Sequence, residues 1–177
     1  ALFMGVTMTL LRTMGRQSAR PDEILRRVND ELLEQNPRGM FVTLQCLVFD
    51  VPNRRVSCAS AGHHCAVLLA PDKPPRPVIE ASGRVIGMLP DNPVTAETLE
   101  LAPGETLVLF TDGVSEAFDP DQQLFGEERL LEHLAKQPGR NAKETTLSVL
   151  EAVRRHAAGA KQSDDITVMA VRCAPGE

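Results

Sequence analysis

Aromatic side chains are nearly missing from this sequence of 177 residues, which contains no Trp, no Tyr and six Phe. Proteins that bind single-stranded nucleic acid usually stack its bases on aromatic side chains. The formal net charge is −5, so the chain also lacks the basic surface that attracts a phosphate backbone or an anionic lipid. We therefore expect no nucleic-acid partner and no membrane contact from this domain.

Cysteine pairs with metal-binding or redox spacing are also missing. The four cysteines, Cys46, Cys58, Cys65 and Cys173, form no C-x-x-C motif. The first three lie in strand-like runs, where an unpaired cysteine behaves as a small buried hydrophobic residue. In a chain of this size, four cysteines with such irregular spacing are more typical of reduced structural thiols in a cytoplasmic protein than of disulfides.

The first residues carry no recognisable targeting signal. Residues 1–11 are apolar, but they lack a basic leader and a small-residue cleavage site, and they are too short to span a bilayer. Because the first residue is Ala rather than Met, we expect the chain to begin inside a longer native protein.

Several motifs with known chemistry are absent. The sequence has no Gly-rich phosphate loop and no G-x-S-x-G nucleophile turn. Residues 119–123 begin like an EF-hand calcium loop, but Leu124 and Leu130 stand where that loop requires Gly and Glu. His63 and His64 are adjacent rather than at helical spacing, so they make a poor zinc pair, and we interpret His63 as a turn residue rather than a catalytic one.

Two helices are predicted at the start of the chain. Residues Leu2 to Gly15 are apolar nearly all round, a pattern typical of a buried helix. Pro21 and the two carboxylates after it favour the start of a second helix, whose apolar stripe extends to Leu33. We expect this helix to end at Asn36-Pro-Arg-Gly39.

From Phe41 the pattern changes to that of strands and turns. Strands are predicted at Phe41–Asp50, Arg54–Ala61, His64–Leu69, Thr95–Leu101, Leu107–Phe110 and Ile166–Arg172, and helices at Gly126–Lys136 and Ala142–Ala158. Residues Pro71 to Pro77 contain four prolines and are expected to form a loop. Short connections between the strands favour an α+β fold with mainly antiparallel sheets.

Two short acidic turns carry the strongest functional signal. Asp112 follows the apolar run Leu107–Phe110, and Asp164-Asp165 precede the apolar run that begins at Ile166. If the two strands pair antiparallel, Asp112 and Asp164 share one sheet edge and come within reach of one cation, whereas parallel pairing would separate them. Taken alone, Asp112 is also a common turn residue before Gly, and Asp164-Asp165 is also a common solvated start of a strand. Carboxylates without Cys or His partners favour magnesium or manganese over zinc.

Phe110-Thr-Asp-Gly-Val114 and Ser163-Asp-Asp-Ile-Thr167 resemble the two carboxyl-terminal metal motifs of the metal-dependent (PPM-type, PP2C-like) serine/threonine protein phosphatases. The bacterial SpoIIE-like branch is the most similar. Six further segments of the chain support this resemblance. None of them is specific for the family by itself, but their order and spacing together are. The supporting segments are Ala1-Leu-Phe-Met4, Asn29-Asp-Glu-Leu-Leu33, Phe41-Val-Thr-Leu44, Ser60-Ala-Gly-His63, Gly87-Met-Leu-Pro90 and Leu124-Phe-Gly-Glu-Glu-Arg-Leu130.

The resemblance implies that residues 1–177 form a single phosphatase domain, an αββα sandwich of two mainly antiparallel sheets flanked by helices. It also implies a pair of Mn²⁺ or Mg²⁺ ions that activate a water against phosphoserine or phosphothreonine. Asp112 and Asp164 would be metal ligands. Asp165 would support the site, Gly113 would allow a tight turn, and Glu116 would orient the loop or an outer water.

The family also has an upstream Asp-x-Ser-Gly-Lys-Gly motif, which precedes the segment matching Ala1-Leu-Phe-Met4. We therefore expect the metal-bridging aspartate and the amino-terminal strands to lie outside this chain, and residues 1–177 alone to show little activity. The resemblance further implies an upstream sensor domain. Without those strands, the apolar first helix would expose surface through which two copies of the chain could associate as a homodimer.

Three functional interpretations follow. The favoured one is hydrolysis of phosphoserine or phosphothreonine on a small regulatory protein, such as an anti-sigma-factor antagonist, because both remaining ligand positions are intact. The first alternative is a non-catalytic module that binds a phosphoprotein or another partner. The second is a structural α+β domain whose acidic turns are fortuitous.

Overall fold

The computed structural model describes residues 2–34, 36, 39–136 and 141–174, and these contain five helices and seven strands. The helices are α1 (Leu2–Gly15), α2 (Pro21–Glu34), α3 (Asp112–Ser115), α4 (Gly126–Ala135) and α5 (Ala142–Ala157). The strands are β1 (Leu44–Asp50), β2 (Arg55–Ala61), β3 (Ala66–Ala70), β4 (Lys73–Val78), β5 (Glu97–Glu100), β6 (Thr106–Phe110) and β7 (Val168–Arg172). The predicted stop of α2 falls partly on residues 37 and 38, which lie outside the described residues, as does Ala1 of the first supporting segment.

The chain divides into two compact units. The first comprises Ala1–His63 and Ile79–Glu100 and contains α1, α2 and an antiparallel sheet with the strand order β1-β2-β5. The second comprises His64–Val78 and Leu101–Glu177 and contains α3, α4, α5 and an antiparallel sheet with the order β4-β3-β6-β7. The predicted α+β class with antiparallel sheets is confirmed.

The core of the first unit lies between α2 and the inner face of its sheet. The apolar stripe of α2 is buried as predicted, and it packs against small residues of β2 such as Ala59 and Ala61. Each fully buried aliphatic side chain of this kind contributes about 1.5–3 kcal/mol to folding. The buried members of the stripe are Ile24, Leu25, Val28 and Leu32.

The prediction that α1 is buried is wrong. Of its residues only Thr7 and Met14 are buried, and the side chain of Leu2 is 84% exposed. One face of α1 packs against the core of the first unit, with side chains that remain partly exposed: Phe3, Val6, Leu10 and Leu11. An apolar composition all round a helix therefore reports its hydrophobicity but not how many sides are covered.

Asn29 fastens α2 to the segment that follows β4. Its side chain is fully buried, and its Oδ1 accepts a hydrogen bond of 3.0 Å from the amide of Gly87. Its Nδ2 donates another of 3.0 Å to the carbonyl of Leu89. Two of the supporting segments recognised in the sequence are thus joined by one amide side chain.

The proline-rich segment is a strand, not the predicted loop. β4 (Lys73–Val78) pairs antiparallel with β3, with Val67 opposite Pro77 and Leu68 opposite Arg76. It lies at the edge of its sheet, where one side of the backbone needs no partner. Proline is tolerated at such an edge because the missing N–H can face away from the neighbouring strand.

Other strands are shorter than predicted. β1 begins at Leu44 rather than Phe41, and Val42 forms only an isolated bridge with Ile86. β7 begins at Val168 rather than Ile166, because the residues before it serve the turn described below.

The second unit has its own core, formed by β6, α3, α4 and α5, with Val108, Val114, Leu130 and Val149 fully buried. α5 begins with a capping box: the side chain of Asn141 accepts a 2.9 Å hydrogen bond from the Glu144 amide, and the Glu144 carboxylate accepts one from the Asn141 amide. None of the described helices combines the length and apolarity needed to cross a bilayer.

Replacing Asn29 with Ala should destabilise the protein by about 1–3 kcal/mol, because the buried amide of Gly87 loses its acceptor and the carbonyl of Leu89 loses a donor. Urea or thermal unfolding measures this change. Glu34→Ala, at an exposed position of the same helix, should stay within about 0.5 kcal/mol of the parent protein. Equal effects from the two substitutions would contradict the role given to Asn29.

Cys58 should resist alkylation in the folded protein. Burial, with a smaller contribution from Glu97, raises the pKa of Cys58 to about 12 from an ordinary value of 9.0. Its thiol therefore stays protonated at pH 8, whereas the partly exposed Cys173 should react with iodoacetamide. Mass spectrometry of labelled peptides, before and after denaturation, locates the modified thiol.

The same pKa shift gives a pH dependence of stability. Below pH 9.0 the thiol is protonated in both the folded and the unfolded state, so its contribution to the free energy of unfolding is fully present. As the pH rises from 9.0 towards 12, the thiol ionises in the unfolded state first, and the folded protein loses stability. Cys58→Ser should flatten this alkaline loss in unfolding curves. A native Cys58 that is alkylated as fast as Cys173 would refute both expectations.

Candidate metal centre

The site begins where β6 and β7 meet. The two strands pair antiparallel from Thr106 opposite Arg172 to Phe110 opposite Val168, so the end of β6 adjoins the start of β7. This is the arrangement on which the sequence prediction depended, and the parallel alternative is excluded. The residues after Phe110 and before Val168 therefore leave the sheet at the same end of these two strands.

Thr111 extends this pairing beyond the sheet. Its amide donates a 3.1 Å hydrogen bond to the carbonyl of Thr167. Its Oγ1 accepts a 3.1 Å hydrogen bond from the Thr167 amide and donates one of 3.1 Å to the carbonyl of Asp165. One residue therefore holds the two acidic turns against each other with three hydrogen bonds.

Asp112 is the first residue of α3, a single helical turn that the sequence indicated only as a turn. Its side chain is exposed, and its Oδ1 accepts a 2.9 Å hydrogen bond from the amide of Gly113. Its carbonyl accepts one of 2.7 Å from the amide of Glu116, which closes the turn. Val114, in the middle of the turn, is fully buried and anchors it to the core of the second unit.

Gly113 lies close against the backbone of the second turn. A methyl group on its Cα would overlap the carbonyl oxygen of Asp165 and lie 2.9 Å from the carbonyl carbon. No side chain fits at this distance without moving the backbone of the second turn. The need for Gly here comes from this close approach rather than from an unusual φ angle.

The second turn has its own internal hydrogen bonds. The Oδ1 atom of Asp164 accepts a 2.7 Å hydrogen bond from the amide of Asp165, and the Gln162 side chain donates one of 2.7 Å to the carbonyl of Asp164. Ser163 Oγ lies 3.5 Å from the carbonyl of Glu116, a second link to the first turn. Asp165 thus contributes its backbone to the contact between the turns, while its side chain is exposed.

The donor atoms at this place suit a hard cation. Asp112 and Asp164 each use Oδ1 within their own turn, and neither Oδ2 accepts a hydrogen bond from the residues that the structure describes. Carboxylate oxygens are ligands that Mg²⁺ and Mn²⁺ prefer. Within the described ranges, no three side chains of His, Cys, Asp or Glu are grouped so that they could hold a metal ion.

The two histidines have structural partners. His63 Nδ1 lies 3.0 Å from the hydroxyl of Thr43, in keeping with its interpretation as a turn residue. His64 Nδ1 lies 3.1 Å from a carboxylate oxygen of Glu127, and its ring stacks on Phe110 with a centroid distance of 5.8 Å.

Sequence reasoning missed the role of Thr111. It stands in the Thr-Asp-Gly motif that drew attention to Asp112, but its hydroxyl acts across the sheet on residues more than fifty positions away. A hydroxyl directly before a ligand candidate at a strand end was the available signal. Only the register between β6 and β7 shows what it contacts.

Two curated proteins are similar to this chain in sequence. Protein IcfG of Synechocystis sp. is 29% identical over an alignment of 199 residues, and the alignment covers 97% of this chain and 31% of IcfG. Phosphoserine phosphatase RsbU of Bacillus subtilis is 27% identical over 117 residues, which cover 66% of this chain and 35% of RsbU. The chain thus spans about a third of the length of either relative.

Solved structures match the fold more closely than their sequences suggest. The SiaA-PP2C domain of Pseudomonas aeruginosa superposes with a TM-score of 0.84 at 19% identity, covering 97% of this chain and 69% of that one. The SpoIIE phosphatase domain of Bacillus subtilis, presoaked with Mn, gives a TM-score of 0.67 at 16% identity, covering 97% of this chain and 74% of that one. This likeness confirms the expected PP2C-type fold, with its two antiparallel sheets and flanking helices.

The sequence profile of one family spans almost the whole chain. The profile of stage II sporulation protein E (SpoIIE) matches residues 1–174, which include both acidic turns and all seven strands. Sequence and fold therefore lead to the same conclusion: this chain belongs to the SpoIIE family of PP2C-type serine phosphatases.

Proposed function

We propose that the native protein hydrolyses phosphoserine or phosphothreonine on a small regulatory protein, such as an anti-sigma-factor antagonist. The observation that carries this proposal is the antiparallel pairing of β6 and β7, which sets the Asp112 and Asp164 turns at one sheet edge. Membership of the SpoIIE family and the similarity to a phosphoserine phosphatase, RsbU, support the type of reaction.

In this proposal Asp112 and Asp164 hold Mn²⁺ or Mg²⁺ through their carboxylate oxygens. Gly113 lets the two turns approach, Asp165 links them through its backbone carbonyl, and Glu116 closes the first turn. The chemistry that a divalent cation supplies when bound is a lowered pKa of water and neutralisation of charge on the phosphoryl oxygens. The chain itself contributes the placement of the ligands.

That placement depends on Thr111. Metal ligands on two separate turns keep a fixed separation only if the turns cannot slide past each other. The three hydrogen bonds of Thr111 oppose such sliding at the point where the regular ladder of β6 and β7 ends. Thr111 is therefore a positioning residue in this proposal and not a ligand.

Asp112→Asn and Asp164→Asn should each lower Mn²⁺-dependent hydrolysis of an aryl phosphate or a phosphoserine protein by about a hundredfold or more, because a neutral amide is a poor ligand for a hard cation. The native protein is assayed with and without Mn²⁺. Asp121→Asn, in the exposed loop that resembles an EF-hand only at its start, should leave turnover unchanged.

Unchanged turnover in both aspartate variants would overturn the site. Binding of a phosphoprotein by the native protein, without any metal-dependent turnover, would instead support the non-catalytic binding module. The two outcomes are separated by measuring turnover and affinity on the same samples.

Thr111→Val should weaken the apparent affinity for Mn²⁺ by about tenfold, because the isosteric side chain cannot hold the Asp165 turn. Thr111→Ser keeps the hydroxyl and should restore most of the affinity. Activity is titrated against Mn²⁺ concentration, with Thr98→Val on an exposed strand position as the control. Equal Mn²⁺ titrations for the Val and Ser variants would show that the hydroxyl has no positioning role.

A further inference from the structure

A groove in the second unit begins beside the acidic turns. Its volume is about 320 Å³, and its lining includes Gly113 and Ser163, the immediate neighbours of Asp112 and Asp164 in the chain. Phe118 and Val153 belong to its apolar lining. The groove runs from there along the last turns of α5, and we refer to it as the α5 groove.

The charged side chains that line the α5 groove are both cationic. Arg154 comes from the last turn of α5, and Lys161 from the loop that leads to the second acidic turn. No carboxylate appears in its lining, and neither cation forms an ion pair within the part of the chain that the structure describes. Two uncommitted positive charges therefore face a partly apolar cleft.

Helix electrostatics explains these charges only in part. Basic residues in the last turn of a helix complement its negative end, and Arg154, Arg155 and His156 all stand there. Arg155 has the same relation to the helix but does not line the groove. Lys161 lies beyond the end of α5, in a segment where it has no helical role.

We infer that the α5 groove binds an acidic segment of the phosphorylated protein substrate, next to the residue that is dephosphorylated. The inference rests on the proposed function of the adjoining site. The net charge of the chain is −5, so an acidic substrate is repelled by the protein as a whole and needs a local positive surface to dock. Arg154 and Lys161 supply that surface, and the apolar lining takes the uncharged parts of the segment.

Two synthetic peptides test this inference on the native protein. Each carries a central phosphoserine, flanked by glutamates in one peptide and by glutamines in the other. Wild type should prefer the glutamate-flanked peptide through a lower KM, with similar kcat for both. An aryl phosphate, too small to reach the groove, reports the reaction at the acidic turns.

The double variant Arg154→Glu/Lys161→Glu should lose this preference. Its KM for the glutamate-flanked peptide should rise by about tenfold relative to the glutamine-flanked one, because two attractive charges become repulsive. The ratio of its kcat/KM for that peptide to its kcat/KM for the aryl phosphate should fall by the same factor. Arg154→Gln/Lys161→Gln should give a smaller change in the same direction and serves if charge reversal impairs folding.

Arg155→Glu and Lys143→Glu are the matched controls, since both are exposed on α5 and neither lines the groove. They should keep the wild-type preference. The inference is overturned if the wild type does not distinguish the peptides, or if Arg155→Glu acts as strongly as the double variant Arg154→Glu/Lys161→Glu.

Failure of the proposed function gives a different result. In that case the wild type hydrolyses neither the aryl phosphate nor the peptides in the presence of Mn²⁺. Fluorescence anisotropy of labelled peptides then still measures whether the glutamate-flanked one binds more tightly and whether the double variant loses this difference. Equal affinities would reject the groove independently of catalysis.

Discussion

The structure around the candidate site depends on one register, that of β6 against β7. Phe110 opposite Val168 sets where the ladder ends, and Thr111 then carries the pairing one step further, to Thr167 and Asp165. A slip of one residue would turn the buried side chains of β6 outward, so the core of the second unit enforces the register. The acidic turns inherit their positions from this constraint.

Both units use the same device to fix a loop to a regular element. In the second unit a buried residue of the turn, Val114, and a close backbone contact at Gly113 hold the segment that carries Asp112. In the first unit a buried amide, Asn29, holds the segment at Gly87. These contacts explain in physical terms why short motifs scattered along the sequence resemble one family: several of them are the two halves of one interaction.

The fold could be predicted where local pattern and environment agree. The stripe of α2 and the apolar runs of β6 and β7 could be located from the sequence, because each has a side that water disfavours. The antiparallel pairing of β6 with β7 is known only from the structure. The exposure of α1 could not be predicted, since the apolar composition of a helix does not show how many of its faces other elements cover. β4 was missed because proline excludes a central strand but not an edge strand, and edge position is a property of the sheet.

The candidate site divides in the same way. Asp112 and Asp164 could be proposed as metal ligands from the sequence, because carboxylates at the ends of apolar runs are visible there. The hydroxyl of Thr111 was not identified in this way, because its contacts lie across the sheet, and the groove cations Arg154 and Lys161 were not, because the groove that they line is formed only in the folded chain. The residue type shows which chemistry a side chain can perform, and only the tertiary structure shows which groups it contacts.

The prolines of β4 have a consequence for the behaviour of the second unit in a crowded solution. A free sheet edge normally offers a row of amide donors and carbonyl acceptors on which a strand of another molecule can be templated. Pro75 and Pro77 are two residues apart, so their ring nitrogens lie on the same side of β4, and that side has two donors fewer than a regular strand. The β4 edge is therefore a poorer template for a strand of another molecule than a regular edge strand would be.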